Sequence, residues 1–123
     1  MADSTRQRTK QPNSKHCFVC GVENHLGLQL AFYHDESGTV FAEAVVPDQF
    51  QGYPGTVHGG IVAALLDEVA TRATMVEQSN DFKVTARMTL RYRKKVPTGE
   101  PLQMIGWIER EGGRALKAAA EIR

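Results

Sequence analysis

Tyr53-Pro54-Gly55-Thr56-Val57-His58-Gly59-Gly60-Ile61-Val62-Ala63-Ala64-Leu65-Leu66-Asp67-Glu68 decides how the rest of the chain is read. Pro54 and Gly55 are turn residues. His58-Gly59-Gly60 then opens a run with helical spacing, in which Val62, Leu65, Leu66, Val69, Ala73 and Val76 fall on one stripe. The spacing predicts the only long helix of the chain, ending near Gln78, where Ser79-Asn80-Asp81 breaks it. A helix start leaves backbone N–H groups unpaired and puts the positive end of the helix dipole on them. Gly59 and Gly60 have no Cβ, so an acceptor oxygen can come close to those donors. In outline that is an oxyanion hole.

Asp67 lies about two turns further along the same helix. It shares a face with Ala63, Ala70, Thr71 and Thr74. An acid among small side chains implies close approach by another surface. The plainer alternative is that Asp67 and Glu68 form a solvated edge and that the glycines only let the loop turn.

His-Gly-Gly at a helix start, followed by Asp67 nine residues after His58, resembles the hotdog-fold acyl-CoA thioesterases. The match is to the branch that includes phenylacetate-pathway and human thioesterase-superfamily proteins. Cys17-Phe18-Val19-Cys20-Gly21, then Asn24 and Gly27-Leu28, is similar to the start of many members of that branch. The resemblance runs from about His16 to Arg123.

The 123 residues suit one domain with one core. Hydrophobic residues make up 41% and charged residues 24%, the balance of a soluble globular protein. No apolar run approaches membrane-spanning length and no signal peptide is evident, so the expected location is the cytoplasm, with no membrane partner. A net charge of +1 implies no strong global field. The two cysteines form one Cys-x-x-Cys, which is no disulfide framework. His16 and His25 flank it, but the spacing is half of a zinc signature and no second ligand pair follows. No βαβ pattern supports a redox motif either. The expectation is a reduced, structural cysteine pair with no metal.

Residues 1–15 are rich in Arg, Lys, Gln, Ser and Thr and read as a flexible polar tail, with the folded domain over 16–123. Leu28, Leu30 and Phe32 alternate with polar or small residues, which predicts a strand. Asp35-Glu36-Ser37-Gly38 is a hairpin turn, and Val40, Ala42, Ala44 and Val46 mark the returning strand. After the helix, Lys83 to Val96 reads as a long strand with Val84, Ala86, Met88, Leu90 and Tyr92 on one face. Leu102 to Glu109 and Ala115 to Arg123 read as a second hairpin. One antiparallel sheet wrapped around a long central helix satisfies this order, an α+β arrangement and the order of the hotdog fold. The resemblance implies one more strand, following the last of these, beside the 83–96 strand. The alternation of Leu116, Ala118, Ala120 and Ile122 is still running at Arg123. The sheet is therefore expected to lack its final strand, with an open edge there. A single sheet and one helix leave much apolar surface, so a homodimer is expected, or a tetramer as a dimer of dimers.

The resemblance implies two equivalent sites between paired protomers. Gly59 N–H would polarise the thioester carbonyl, Gly60 would let the helix start come close, and His58 would hold the loop. Asp67 of the other protomer would be the nucleophile or the general base, roles that suit a carboxylate in a partly desolvated cleft. Thiolate is a good leaving group, so such a site can dispense with a Ser-His-Asp triad. Thr85 matches a position where relatives carry a water-orienting hydroxyl. Many relatives have an Asn or Gln seven residues before the first glycine of the motif. Here that position is Gly52, and Gln51 lies one residue earlier. Lys83, Arg87, Arg91, Arg93, Lys94 and Lys95 make the 83–95 stretch basic and free of acid. They form either a solvated face or, at Arg91, Arg93 and Lys94, a dock for the phosphates of coenzyme A. No aromatic platform for nucleic acid is interleaved there.

The leading function is hydrolysis of an acyl-CoA thioester, with no cofactor. The alternative is a non-catalytic acyl-CoA-binding or sensor protein on the same fold. A hotdog dehydratase is a third reading, but those usually need a catalytic His with its acid placed differently. The acyl group is left open.

Overall fold

The computed structural model describes residues 7–76, 83–112 and 115–123. Five antiparallel strands form one sheet in chain order: β1 (Thr9–Lys10), β2 (Tyr33–His34), β3 (Val40–Val45), β4 (Pro101–Gly112) and β5 (Ala115–Ile122). One α-helix, α1 (Gly59–Arg72), crosses it and runs on into a 3-10 turn over Ala73–Met75. Among the described residues no helix is long and apolar enough to cross a membrane. This is the expected α+β layering, and the open edge falls where it was expected. β5 is last in the sheet order, and no strand lies beside it among the described residues.

The period-two pattern places the sheet's inner face. Val40, Ala42 and Ala44 of β3 are buried, as are Leu102 and Met104 of β4, opposite Ala44 and Ala42. On the helix, Val62, Leu65 and Val69 are buried, while Leu66 and Val76 are partly so. Gly106 sets how closely the two layers meet. A Cβ there would come within 2.5 Å of the Val69 carbonyl oxygen and 2.7 Å of its Cγ1, so only glycine lets α1 lie this deep on β4. At the β2–β3 turn, one Asp35 Oδ1 accepts from the Ser37 and Thr39 amides at 2.9 and 3.1 Å, and Gly38 takes φ 86°.

Four expectations need correction. The helix stops at Arg72 with a 3-10 extension to Met75, short of Gln78; Gln78 itself lies outside the described residues. Leu28–Phe32 is not a strand of the sheet. Its amides pair instead with the lead-in, Leu28 N–H to Phe18 and Leu30 N–H to Val19 carbonyls, both at 2.8 Å. Leu30 and Phe32 are buried all the same.

The third correction concerns the start of the chain. Thr9–Lys10 pairs with β2, and Gln11 is only 1% exposed. Its amide donates to the Arg72 carbonyl at 3.1 Å, while Arg72 Nη1 donates to the Pro12 carbonyl at 2.6 Å. Segment 9–13 is thus docked on the end of α1 rather than part of a free tail: Glu68 of the helix takes the Arg72 Nε, and the Pro12 carbonyl takes the Nη1 that it leaves. The fourth is the 83–96 strand. This stretch joins no sheet, and Val84, Met88 and Tyr92 are exposed. Alternation puts side chains on common faces, but a strand also needs a neighbour for its backbone, and the chain brings none alongside.

Candidate functional site

The loop before α1 is a small closed hairpin. Gln51 and Val57 form an antiparallel bridge, and Gly52 N–H donates to the Thr56 carbonyl at 2.8 Å. Gly55 turns it at φ 77°. The far end of the basic stretch pins it: Val57 N–H donates to the Val96 carbonyl at 2.7 Å and Thr98 N–H to the Gly55 carbonyl at 3.0 Å. His58 is the N-cap of α1, and its Nδ1 accepts from Gly60 N–H at 2.9 Å. His58 Nδ1 is therefore engaged in holding the loop, and the His58 carbonyl takes the Ile61 and Val62 amides. Among the described residues no group accepts from the Gly59 N–H. It is the one uncommitted donor at the positive end of the helix.

Tyr92 braces that donor. Its hydroxyl donates to the Gly59 carbonyl at 2.8 Å, and a Cβ on Gly59 would stand 3.8 Å from its ring. Beside them opens a cleft of about 630 Å³ lined by Gly59, His58, Val62, Tyr92, Arg93 and Lys94, among others. The basic stretch and the free amide thus share one cavity. Arg91, Gln51 and Thr85 do not line it. Gln51 instead spends its side-chain oxygen on the Gly55 amide at 3.1 Å, which closes the loop. Gly52, where the resemblance implied an Asn or Gln, has no side-chain amide to offer.

Asp67 is half-buried on α1. Thr85 Oγ1 donates to its Oδ1 at 2.5 Å, which joins two residues the sequence had singled out separately. One carboxylate oxygen is thereby oriented. Asp67 and Gly59 are not brought together within one chain. Eight residues of helix separate them, about 12 Å at ~1.5 Å per residue.

Tyr92 is the residue that sequence reasoning missed in this site. Its alternation placed it on the face opposite the arginines, and only the course of this stretch back along α1, from Thr85 at Asp67 to Tyr92 at Gly59, puts its hydroxyl on Gly59. A second cluster was also missed. Cys17 donates to Glu68 Oε1 at 3.8 Å, and Glu68 Oε2 accepts from Arg72 Nε at 3.1 Å. Burial pushes the Cys20 thiol above its ordinary range, against the pull of the Ser14 backbone N–H.

The thioesterase superfamily matches over residues 54–123, from the loop through β5. Among curated proteins the chain is 26% identical over 122 residues to the acyl-coenzyme A thioesterase THEM4 of Rattus norvegicus, covering 98% of this chain and 52% of that one. It is 27% identical over 75 residues to the Homo sapiens acyl-coenzyme A thioesterase 13, covering 61% and 54%. The chain spans about half the length of the curated relatives it matches. A solved thioesterase superfamily protein superposes with a TM-score of 0.79 at 32% identity, over 89% of this chain and 53% of the other. Thioesterase superfamily member 2 from Mus musculus gives 0.61 at 26% identity, over 69% and 66%. A phenylacetic acid degradation-related protein from Ralstonia eutropha gives 0.63 at 25%, over 72% and 67%. With the family matched over more than half of its length and the sheet and helix of its solved members reproduced, this chain belongs to the thioesterase superfamily.

Proposed function

We propose that the protein hydrolyses an acyl-CoA thioester at a site shared by two copies of the chain. One observation carries this reading: Gly59, whose amide is uncommitted, lines the same cleft as Arg93 and Lys94. A donor for a developing oxyanion and cations for a phosphate-bearing substrate are what an acyl-CoA presents itself to. The names of the relatives, acyl-coenzyme A thioesterases, point to the same chemistry.

Gly59 N–H would bond the thioester oxygen as it gains charge. Asp67 would take a proton from water through its free oxygen while the water oxygen bonds the acyl carbon. The C–S bond breaks, the thiolate leaves, and the proton held by Asp67 goes to it. The Thr85 hydroxyl fixes the carboxylate for that transfer. Attack by Asp67 itself, through an anhydride that water then opens, uses the same two groups. Both routes need the acid and the amide within about 3 Å of the reacting group, which ~12 Å of helix forbids inside one chain. The acid at each site therefore belongs to the second copy.

The test is Asp67→Asn, assayed with a panel of acyl-CoAs and a thiol reagent. Asn keeps the shape but can neither attack nor accept the proton, so kcat should fall about a hundredfold or more while acyl-CoA binding survives. Full turnover in the variant would overturn the assignment. Tight binding with no turnover in the parent protein would instead favour an acyl-CoA sensor, a reading that the lack of a side-chain amide at Gly52 also fits.

A further inference from the structure

We propose that Cys17, Cys20 and Glu68 form a divalent-cation site of the zinc class, which ties the N-terminal lead-in to α1. The sequence offered only half of a zinc signature; the fold supplies a third donor from the helix. Cys17 Sγ, Cys20 Sγ and a Glu68 carboxylate oxygen all lie within 4.8 Å of one another. In a tetrahedral zinc site such donors stand about 3.6–3.8 Å apart, from Zn–S ≈ 2.3 Å and Zn–O ≈ 2.0–2.2 Å. The Cys17–Glu68 separation is already 3.8 Å.

The loop that presents the sulfurs is tightly built. Gly21 N–H closes on the Cys17 carbonyl at 2.7 Å, and a Cβ on Gly21 would lie 2.5 Å from the Cys17 nitrogen, so no side chain fits. Glu23 N–H to the Lys15 carbonyl at 2.9 Å and Asn24 Nδ2 to the His16 carbonyl at 3.1 Å fasten it from outside. Cys20 is 1% exposed. Such a knuckle holds both sulfurs in place before any ion arrives.

The charge of the cluster can accommodate a dication. The Arg72 guanidinium, 4% exposed, pairs with Glu68, so the cluster with both thiols protonated is neutral. Binding M²⁺ forms two S–M bonds and one O–M bond and releases two thiol protons to solvent. Two charges enter and two leave, so the buried cluster stays neutral. Arg72 then acts as the outer hydrogen-bond donor that orients a ligating carboxylate. A disulfide would leave Glu68 Oε1 without its Cys17 donor. The fourth position is free for water.

The protein should be purified with reductant, stripped with chelator and titrated with Zn²⁺ alone against a chromophoric chelator, then with Co²⁺. About one Zn²⁺ per chain is expected, with a raised melting temperature. Co²⁺ should give the thiolate charge-transfer absorption of a tetrahedral site. Cys17→Ser with Cys20→Ser should lose binding. Glu68→Gln, which keeps both sulfurs, should weaken it at least tenfold, since even an outer partner of a ligand is worth about that much. No stoichiometric binding by the stripped parent protein overturns the site. So does binding undiminished by the double serine substitution, or a protein isolated with Cys17 and Cys20 oxidised to each other. None of these readouts depends on thioester turnover.

Discussion

Tyr92 reaches back 33 positions to place its hydroxyl on the Gly59 carbonyl, and so holds the peptide group beside the free amide. It touches no reacting atom in the proposed chemistry and is a positioning residue. Tyr92→Phe keeps the ring against Gly59 and removes only the hydrogen bond, worth about 1 kcal/mol. We expect kcat to fall by about fivefold, the same energy at 1.4 kcal/mol per tenfold, with KM little changed; equal kcat in the two proteins would show that the ring alone sets the loop. His58 works in the same spirit. Its Nδ1 caps Gly60, and in the proposed reaction the proton transfer falls to Asp67, which Thr85 orients. The His-Gly-Gly motif and Asp67 were legible from residue spacing. The bracing tyrosine was not, since no local pattern says which of two exposed faces will fold over the helix start.

The contact between α1 and β4 is set by one glycine, and its element-scale consequence is mechanical. Gly106→Ala would drive a methyl into the Val69 backbone and side chain. The cost should be about 1–3 kcal/mol, the usual range for overpacking, seen as a melting temperature lowered by several degrees. An unchanged melting temperature would mean that helix and sheet can part at no cost. The basic stretch makes a second prediction at this scale. Arg93→Glu with Lys94→Glu should raise KM for acyl-CoA far more than it changes kcat, because phosphate contacts far from the reacting carbon bind ground and transition states alike. The effect should shrink in high salt. Equal damage with a thioester that lacks the nucleotide would remove the phosphate dock from the account. Sequence reading found the charges in this stretch but not its conformation. Its apolar alternation was real, yet Val84 is 94% exposed with no strand alongside.

The arithmetic of the helix makes the whole molecule part of the site. Gly59 and Asp67 stand about 12 Å apart at ~1.5 Å per residue, so the proposed reaction needs two copies. Mixing Asp67→Asn protein with Gly59→Val protein, each inactive alone, should restore about a quarter of parental activity: half of random dimers are mixed, and each mixed dimer has one intact site of two. No recovery after subunit exchange, confirmed by mass, would confine the site to one chain. Among the described residues, the apolar face of 83–92 and the edge of β5 both mark surface that one chain leaves uncovered.

The sequence alone determined the features that local chemistry dictates. These are the glycine helix start after His58, the buried stripe through Val62, Leu65 and Val69, the Asp35–Gly38 turn, and the β4–β5 hairpin. Each follows from a period of two or 3.6 residues, or from a turn residue acting within a few positions. The tertiary structure alone decided what meets across long separations. Thr85 finds Asp67 over 18 positions, Cys17 finds Glu68 over 51, and Gln11 finds Arg72 over 61. A period tells which side chains share a face and says nothing of what that face is laid against. The docked 9–13 segment, the Cys17–Cys20–Glu68 cluster and the course of the 83–96 stretch outside the sheet are all matters of that second kind.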